Sequence, residues 1–321
     1  MQDLIKIARY VGLVAIDVGA RGGPKHDLDA IAPAVDFYCF EPDEEECTRL
    51  NQQGRQGPWK SVTYLPTALA AEQRQFELNL YRKRGCSSGL RARQEVGEIF
   101  CRGDYYIHDG VVSMEARRFD DVAAEFLIEK PAFMKIDVQG MEVEVFRGAA
   151  EALKNDLVGI RTEVSFFPLY DEQPLFADVD QCLRSFDFYP MRWIETHEWR
   201  RLTRTKYPGL SEQVLPASRG QLMHADVLYL AHPEALPHQS EEHLRRLIRL
   251  GLVAICYGHI DHADAAFRRP GVSDYIQEKV GVNCLSVLQD ASNALARSAR
   301  LQERVRKLGR FMARLSGMSI D

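Results

Sequence analysis

The sequence predicts an α/β protein with a doubly wound, mostly parallel sheet and a helical C-terminal part. Apolar runs of strand length alternate with stretches of helical spacing over residues 11–231, and only helical spacing follows. A glycine-rich turn comes directly after the first apolar run, which is typical of a parallel sheet that binds a nucleotide-like ligand.

Six short apolar runs predict the strands of the core sheet, because they are rich in β-branched and aromatic residues and are bounded by turn signals. They lie at residues 11–19, 36–42, 61–69, 132–138, 158–166 and 224–231. Two runs of alternating polarity, residues 75–82 and 112–119, predict extra strands before the fourth core strand. We expect the irregular segment between them, Arg84 to Leu90, to cover a site.

The pattern changes near Pro233 to Pro237, which predicts a domain boundary. We expect one domain over residues 1–233 and a helical C-terminal extension over residues 234–321. From Asp290 to Asp321 the chain is amphipathic, with seven basic and three acidic residues. We interpret this basic helix as a solvated face or a contact in a homo-oligomer, and the alternative is peripheral contact with an anionic membrane or a polyanionic substrate.

Composition narrows the class of partner. Lys and Arg number 41 against 46 Asp and Glu, so a net charge of -5 argues against a nucleic-acid partner.

The seven cysteines form no C-x-x-C pair, so we expect neither a disulfide framework nor a metal site. The start of the chain lacks a signal-peptide pattern, and no apolar run reaches the roughly 20 residues of a membrane span. A soluble, cytoplasmic protein with a small-molecule or glycan substrate is expected.

The turn after the first strand carries the strongest chemical signal. Asp17 ends the strand and glycines follow at Gly19 and Gly22, so the backbone can approach a ligand closely and Asp17 can accept from a ligand's ammonium group. Glu41 ends the second strand, where a carboxylate can accept hydrogen bonds from the hydroxyls of a ribose. An ordinary glycine turn and an exposed glutamate are the structural alternatives.

The spacing of the glycines separates two classes of cofactor. A dinucleotide site would carry G-x-G-x-x-G, whereas this turn reads Gly19-Ala20-Arg21-Gly22-Gly23, which disfavours a nicotinamide cofactor. The G-x-x-G spacing after a strand-terminal aspartate resembles the S-adenosylmethionine site of class I methyltransferases, which have a Rossmann-like sheet.

One longer stretch makes the resemblance specific. FMKIDVQGMEVEVFRGA, from Phe133 to Ala149, together with DVGARGG and FEPD, is similar to the signature of the FkbM family of S-adenosylmethionine-dependent methyltransferases. The resemblance covers residues 12–231, and further matching pieces lie at Ser87-Ser88, Asp120-Asp121, Glu163 and Tyr170. The family commonly has Asn where this chain has Arg21, and Glu where it has Gln139, which cannot act as a base.

The resemblance implies a set of cofactor-binding residues. Asp17, Gly19, Ala20 and Gly22 would surround the methionine part, with Glu41 on the ribose, Pro42 and Asp43 beside the adenosine, Ala68 and Leu69 beside the adenine, and Asp137 at the end of the fourth core strand.

Methyl transfer mainly requires a group that positions the acceptor oxygen and takes its proton. We rank Asp137 first for this role, Glu163 second and Glu142 third, since Glu142 can instead cap the loop. His197 is the best histidine candidate, with an ordinary surface histidine as its alternative. For each carboxylate the structural alternative is a hydrogen bond to nearby backbone.

The sequence thus predicts an S-adenosylmethionine-dependent O-methyltransferase that acts on a hydroxyl of a sugar, a glycan or another polyhydroxylated metabolite. We expect the acceptor to contact aromatic and basic residues within Arg84–His108, Phe166–Phe176 and Trp193–Tyr207. Two alternatives remain open: an NAD-dependent oxidoreductase, and a non-catalytic scaffold that binds the cofactor and acts through its helical tail.

Overall fold

The structure is a computed structural model that describes residues 2–53, 57–201 and 219–315, with side chains described as far as residue 300 apart from residues 26 and 298. These residues form the strands β1 (Leu13–Val18), β2 (Val35–Phe40), β3 (Ser61–Leu65), β4 (Ala68–Leu69), β5 (Arg74–Tyr81), β6 (His108–Arg117), β7 (Pro131–Ile136), β8 (Gly159–Ser165), β9 (Phe188–Trp199) and β10 (Gln221–Ala231). The helices are α1 (Gln2–Val11), α2 (Glu44–Gln52), α3 (Gln94–Ile99), α4 (Phe119–Glu125), α5 (Glu142–Gly148), α6 (Ala150–Asn155), α7 (Phe176–Arg184), α8 (Glu241–Cys256), α9 (Ile260–Phe267), α10 (Val272–Val280) and α11 (Cys284–Leu315).

Seven strands form the central sheet in the order β3-β2-β1-β7-β8-β10-β9. The pairs β1–β2, β2–β3, β1–β7 and β7–β8 are parallel, whereas β10 is antiparallel to both of its neighbours. The predicted α/β fold with a mostly parallel sheet is therefore confirmed. The chain moves outward from β1 to β3 and then crosses back to β7, so the gap beyond the ends of β1 and β7 is the point where a doubly wound sheet binds its ligand.

The middle of the sheet is covered on both faces. All six residues of β7 are buried, as expected for a parallel strand with helices above and below it. On one face, α8 packs so closely that a Cβ on Gly159 would press against Val253. Two buried arginines of α8 attach it to the rest of the chain. Arg249 donates to the carbonyl oxygens of Val11 and Gly12, and Arg246 donates to the carbonyls of α6 and the segment after it.

A second, three-stranded sheet has the order β4-β6-β5 and lies between β3 and β7 in the chain. The loop after β5 folds back on this sheet, because the Asn79 side-chain amide donates to the carbonyl oxygens of Ser88, Gly89 and Leu90 at 3.3 to 3.5 Å. The hydroxyl of Ser88 then donates to the Gln139 carbonyl oxygen at 2.7 Å. The segment from Arg84 to Leu90 thereby lies against the loop that follows β7.

The first helix after the predicted boundary packs on the sheet. Leu247 and Val253 of α8 belong to the same buried hydrophobic cluster as Ile16 and Phe133 of the sheet. The division into residues 1–233 and 234–321 stays a prediction. Two other expectations fall on residues that are not described: residues 202–207 of the acceptor segment, and the basic side chains of the last helix beyond residue 300. Within the described residues, no helix is long and apolar enough to cross a membrane.

Candidate active site

One face of the sheet carries a row of charged side chains near the carboxyl ends of its parallel strands. Asp17 of β1 is in register with Lys135 of β7, which is in register with Arg161 of β8. Glu163 of β8 is in register with Asp226 of β10. Because residues paired across neighbouring strands point to the same face, these side chains meet in one layer.

The centre of this layer is a buried ion pair between Lys135 and Asp17. Lys135 Nζ lies 3.2 Å from Asp17 Oδ1 and 3.8 Å from Asp137 Oδ2, and its side chain is only 6% exposed. Burial raises the pKa of Asp17, and the attraction of Lys135 offsets part of this effect. Burial lowers the pKa of Lys135, but Asp17 and Asp137 together outweigh it, so the ammonium remains charged.

The Asp17 carboxylate still has capacity to accept hydrogen bonds. Both of its oxygens are buried, and neither has a hydrogen-bond partner of good geometry among the described residues. A buried carboxylate is stabilised by donors, so an ammonium or hydroxyl group of a ligand in the gap would be favourable there.

The turn after β1 is held close to its two neighbours. The N–H groups of Gly19 and Ala20 both donate to the Phe40 carbonyl oxygen at the end of β2, at 3.0 and 3.2 Å. Gly19 has φ +77°, and a Cβ at this position would overlap the backbone carbonyl oxygen of Asp137. Gly22 also has a positive φ of +84°, but a Cβ there would meet open space. Only Gly19 is therefore required by the contact between β1 and β7.

Glu41 lies directly after β2 at the same edge of the sheet, and it is buried. Its Oε1 accepts from the Asp43 N–H at 3.1 Å, and burial raises the pKa of its carboxyl group. Pro42 is half-buried beside it. Asp43 caps α2 by accepting from the Glu46 N–H and lies 3.8 Å from Arg21 Nη2.

Ala68 and Leu69, which the resemblance places beside an adenine, form β4. Both side chains are buried, and the strand pairs with Ala116 and Arg117 of β6. They lie just after the end of β3, which neighbours β2 in the sheet. Their contact with a cofactor stays a prediction.

Asp137 follows β7, and its carboxylate is engaged on two sides. Its Oδ1 accepts from Gln139 Nε2 at 2.8 Å, and Lys135 approaches its other oxygen. The side chain is 38% exposed, so it also reaches the outside of the layer.

Gln139 connects Asp137 to the next strand. Its Nε2 lies 2.8 Å from Asp137 Oδ1 and 3.4 Å from Glu163 Oε1, and its Oε1 accepts from the buried Tyr170 hydroxyl at 3.0 Å. The residue has φ +54°, a conformation that is held by its main-chain contact with Ser88. A neutral amide between two carboxylates avoids the repulsion that a third carboxylate would add.

Glu142 is fully buried under the loop that Gln139 belongs to. Its Oε1 accepts from the N–H groups of Val138 and Gly140 at 3.3 and 3.1 Å. Burial, together with repulsion from Glu163, raises the pKa of Glu142 to about 8. This geometry favours a loop-holding role, and a catalytic role for Glu142 stays a prediction.

Glu163 is buried and pairs with a histidine from β10. Its Oε2 lies 3.0 Å from His224 Nδ1. Burial, followed by repulsion from Asp137 and Asp226, raises the pKa of Glu163 well above its ordinary value, whereas burial lowers the pKa of His224. Asp226 is held by Arg161, whose Nε donates to Asp226 Oδ2 at 2.9 Å.

The structure places a second histidine beside the one that the sequence singled out. His197, the sequence candidate, is 39% exposed and lies 3.5 Å from Glu195, whereas His224 faces the buried Glu163. The two histidines stack, with ring centroids 4.3 Å apart. Sequence reasoning also missed the position of Lys135, although the unusual lysine inside an otherwise apolar strand was a visible signal.

No group of three or more His, Cys, Asp or Glu side chains among the described residues is arranged to hold a metal ion. The polar layer brings together Asp17, Asp137, Glu142 and Glu163 from the predicted site. Glu41 and the turn at Gly19 lie on the β2 side of the gap.

Comparison with known proteins identifies the class. The sequence matches the methyltransferase FkbM domain over residues 17–189, which is more than half of the chain. This protein therefore belongs to the FkbM methyltransferase family, as the resemblance of its motifs implied.

Two individual proteins are similar to this chain. The 2-O-methyltransferase NoeI of Sinorhizobium fredii is 28% identical over 195 residues, which cover 58% of this chain and 77% of that protein. The crystal structure of methyltransferase FkbM from Methylobacillus flagellatus KT matches with 12% identity and a TM-score of 0.38. That match covers 68% of this chain, which spans 44% of the other.

The turn at Gly19 yields a first prediction. Gly19→Ala should lower the free energy of unfolding by at least about 2 kcal/mol more than Gly22→Ala, which changes only the backbone preference and should cost about 1 kcal/mol. Urea denaturation of both variants and the wild type measures the difference. Equal losses in the two variants would contradict the close contact between Gly19 and Asp137.

Glu142 yields a prediction on pH. Because its pKa of about 8 lies above the ordinary value of 4.5, the folded chain holds a proton that the unfolded chain loses between those values. This group therefore makes stability fall as pH rises through that range, by about 1.4 kcal/mol for each unit of pKa difference.

Glu142→Gln keeps an oxygen for the two backbone donors and removes the titration. Its unfolding free energy should fall less between about pH 5 and pH 8 than that of the wild type, by on the order of 2 kcal/mol or more. Glu144→Gln, on the more exposed side of α5, is the matched control and should follow the wild type. Parallel curves for Glu142→Gln and the wild type would contradict the raised pKa.

Proposed function

We propose that this methyltransferase uses S-adenosylmethionine and transfers its methyl group to a hydroxyl of a sugar, a glycan or another polyhydroxylated metabolite. One observation carries the proposal: three carboxylates, Glu41, Asp17 and Asp137, follow or end the neighbouring strands β2, β1 and β7 at one edge of the sheet. The proposed architecture is a methyltransferase domain over residues 1–233 with a helical extension over residues 234–321.

The residues at this edge fit such a cofactor. Asp17 has two buried oxygens without hydrogen-bond partners of good geometry, which suits the ammonium group of the methionine part. Glu41 is buried at the end of β2, where its carboxylate suits ribose hydroxyls. The N–H groups of Gly19 and Ala20 hold the turn against the end of β2, and Gly19 also lies against the backbone that follows β7. Pro42 and Asp43 would border the adenosine. When bound, S-adenosylmethionine supplies an electrophilic methyl group on a sulfonium ion.

The charge of the edge also suits a cationic sulfonium compound. Lys135 and Arg161 are the two cations of the layer, and four carboxylates pair with them: Asp17 and Asp137 with Lys135, and Asp27 and Asp226 with Arg161. Glu41 adds a fifth carboxylate at the same edge of the sheet. An excess of negative charge in a partly buried site stabilises a positive ligand more than water does.

The protein's own side chains would position the acceptor hydroxyl and remove its proton. We propose Asp137, Glu163 and Glu142 as the carboxylates of this machinery. Asp137 and Glu163 face the same layer and are joined through Gln139, so they hold one another in place. Glu142 fixes the loop that carries Gln139, because it accepts from the N–H groups of Val138 and Gly140 on either side of that residue.

The similar protein NoeI is a 2-O-methyltransferase, which supports an oxygen atom as the methyl acceptor here. Membership of a methyltransferase family favours methyl transfer over the nicotinamide-dependent reaction that the sequence left open. A scaffold without turnover would bind the same cofactor, so binding and turnover must be measured separately.

Calorimetric titration with S-adenosylmethionine, S-adenosylhomocysteine and NAD tests the cofactor. The wild type should bind the two adenosyl compounds and not NAD. Glu41→Ala should weaken S-adenosylhomocysteine binding by about tenfold or more, since it removes hydrogen bonds to a charged acceptor. Glu44→Ala, at an exposed position of α2, should leave affinity unchanged.

Failure of the wild type to bind either adenosyl compound would overturn the proposed cofactor. Unchanged affinity in Glu41→Ala, with a normal unfolding curve, would overturn the ribose assignment alone.

A further inference from the structure

His224 lies on the far side of the polar layer from Glu41. In the sheet, β10 is four strands from β2, which corresponds to about 19 Å at about 4.8 Å per strand. The antiparallel register pairs His224 with Ser165, the last residue of β8. A cofactor bound over β2, β1 and β7 would therefore leave the surface above β8 and β10 for the acceptor.

The ring of His224 is oriented by a carboxylate on one side. Its Nδ1 faces Glu163 Oε2 at 3.0 Å, and both side chains are largely buried, with exposures of 16% and 12%. Nδ1 has no hydrogen-bond partner of good geometry among the described residues, so the 3.0 Å separation is a charge contact and not an aligned hydrogen bond. An ionised Glu163 at this distance favours the tautomer with hydrogen on Nδ1, which leaves the Nε2 lone pair free to accept a proton.

Aromatic neighbours fix the plane of the ring. His197 stacks on it with centroids 4.3 Å apart and planes at 15°, and Trp199 meets its edge at 5.9 Å. Both come from β9, so two strands and a buried carboxylate hold the imidazole in one orientation. A preorganised base loses little entropy when the acceptor binds.

The charged groups around the ring come from three strands and two loops. They are Glu163 on β8, Asp226 on β10, Glu195 and His197 on β9, Asp137 after β7, and Lys83 in the loop after β5. Burial lowers the pKa of His224, so the ring is neutral near pH 7.

We propose that His224, oriented by Glu163, is the proton acceptor for the acceptor hydroxyl. This inference rests on the proposed function. The hydroxyl proton moves to His224 Nε2 as the oxygen's electron pair forms the new bond to the methyl carbon, and the pair of the broken carbon–sulfur bond stays on sulfur. The imidazolium that results is stabilised by the Glu163 carboxylate, which makes Glu163 a positioning residue.

This assignment differs from the sequence ranking, which placed Asp137 first. The Asp137 carboxylate already accepts from Gln139 on one oxygen and faces Lys135 with the other, so both of its oxygens are engaged. His224 has a neutral ring with one nitrogen directed away from its carboxylate. Of the two, His224 is the better proton acceptor.

Steady-state kinetics on a panel of methyl glycosides of common hexoses and pentoses test the role. His224→Gln should lower kcat by about 10²-fold or more and change S-adenosylhomocysteine affinity by less than about twofold. His232→Gln, at an exposed histidine just after β10, is the matched control and should keep kcat within about threefold of the wild type.

The pH profile separates catalysis from structure. Wild-type kcat should rise with pH as the His224–Glu163 pair loses its proton. The plot of kcat against pH for His224→Gln should lack this rising limb. Glu163→Gln should move the limb to lower pH, because the imidazolium loses its carboxylate. If Glu163 had only a structural role, Glu163→Gln would reduce stability and leave the rising limb of the pH profile in place.

Nitrogen NMR of ¹⁵N-histidine-labelled protein provides a readout that needs no acceptor or cofactor. We expect the His224 ring at about pH 8 to carry its hydrogen on Nδ1, the tautomer with a free Nε2. A hydrogen on Nε2, or a His224→Gln enzyme with wild-type kcat and an intact limb, would overturn the proposal. Failure of the proposed function has a different signature, since the wild type would then bind no S-adenosylhomocysteine.

Discussion

A buried ammonium group joins the two strands whose following loops build the site. Lys135 Nζ lies between Asp17 at the end of β1 and Asp137 after β7, and its side chain is almost fully buried. A charge in this position is tolerated only with opposite charges beside it, so the pair fixes how β1 and β7 meet. The tight approach of Gly19 to the Asp137 backbone depends on the same junction.

The polar layer extends this junction toward the acceptor side. Asp137 is linked through the Gln139 amide to Glu163, and Glu163 contacts His224, so the chain of contacts crosses from β1 to β10. Hydrogen-bonded groups in a partly buried layer hold each other more rigidly than surface groups do. The cofactor side and the proposed base are therefore parts of one connected arrangement, although they come from strands that are far apart in the sequence.

The sequence predicted the sheet well, because its parallel strands are buried on both faces and form short apolar runs with clear boundaries. It also indicated the turn at Gly19 and the carboxylate of Glu41, since both follow strands directly. His224 could not be found in this way. The sequence around it is that of an ordinary strand. Its contact with Glu163 follows from the antiparallel register that pairs His224 with Ser165. The bridging position of Gln139 likewise depends on a positive φ and on contacts with Tyr170 and Ser88.

A double-mutant cycle on Lys135 and Asp17 tests the central claim most directly, with the unfolding free energy as the measurement. Lys135→Met should cost about 3–5 kcal/mol, because it leaves a buried carboxylate without its cation. Adding Asp17→Asn should recover part of that loss, with a coupling of at least about 1 kcal/mol. Additive effects of the two substitutions, or a Lys135→Met variant as stable as the wild type, would contradict the account.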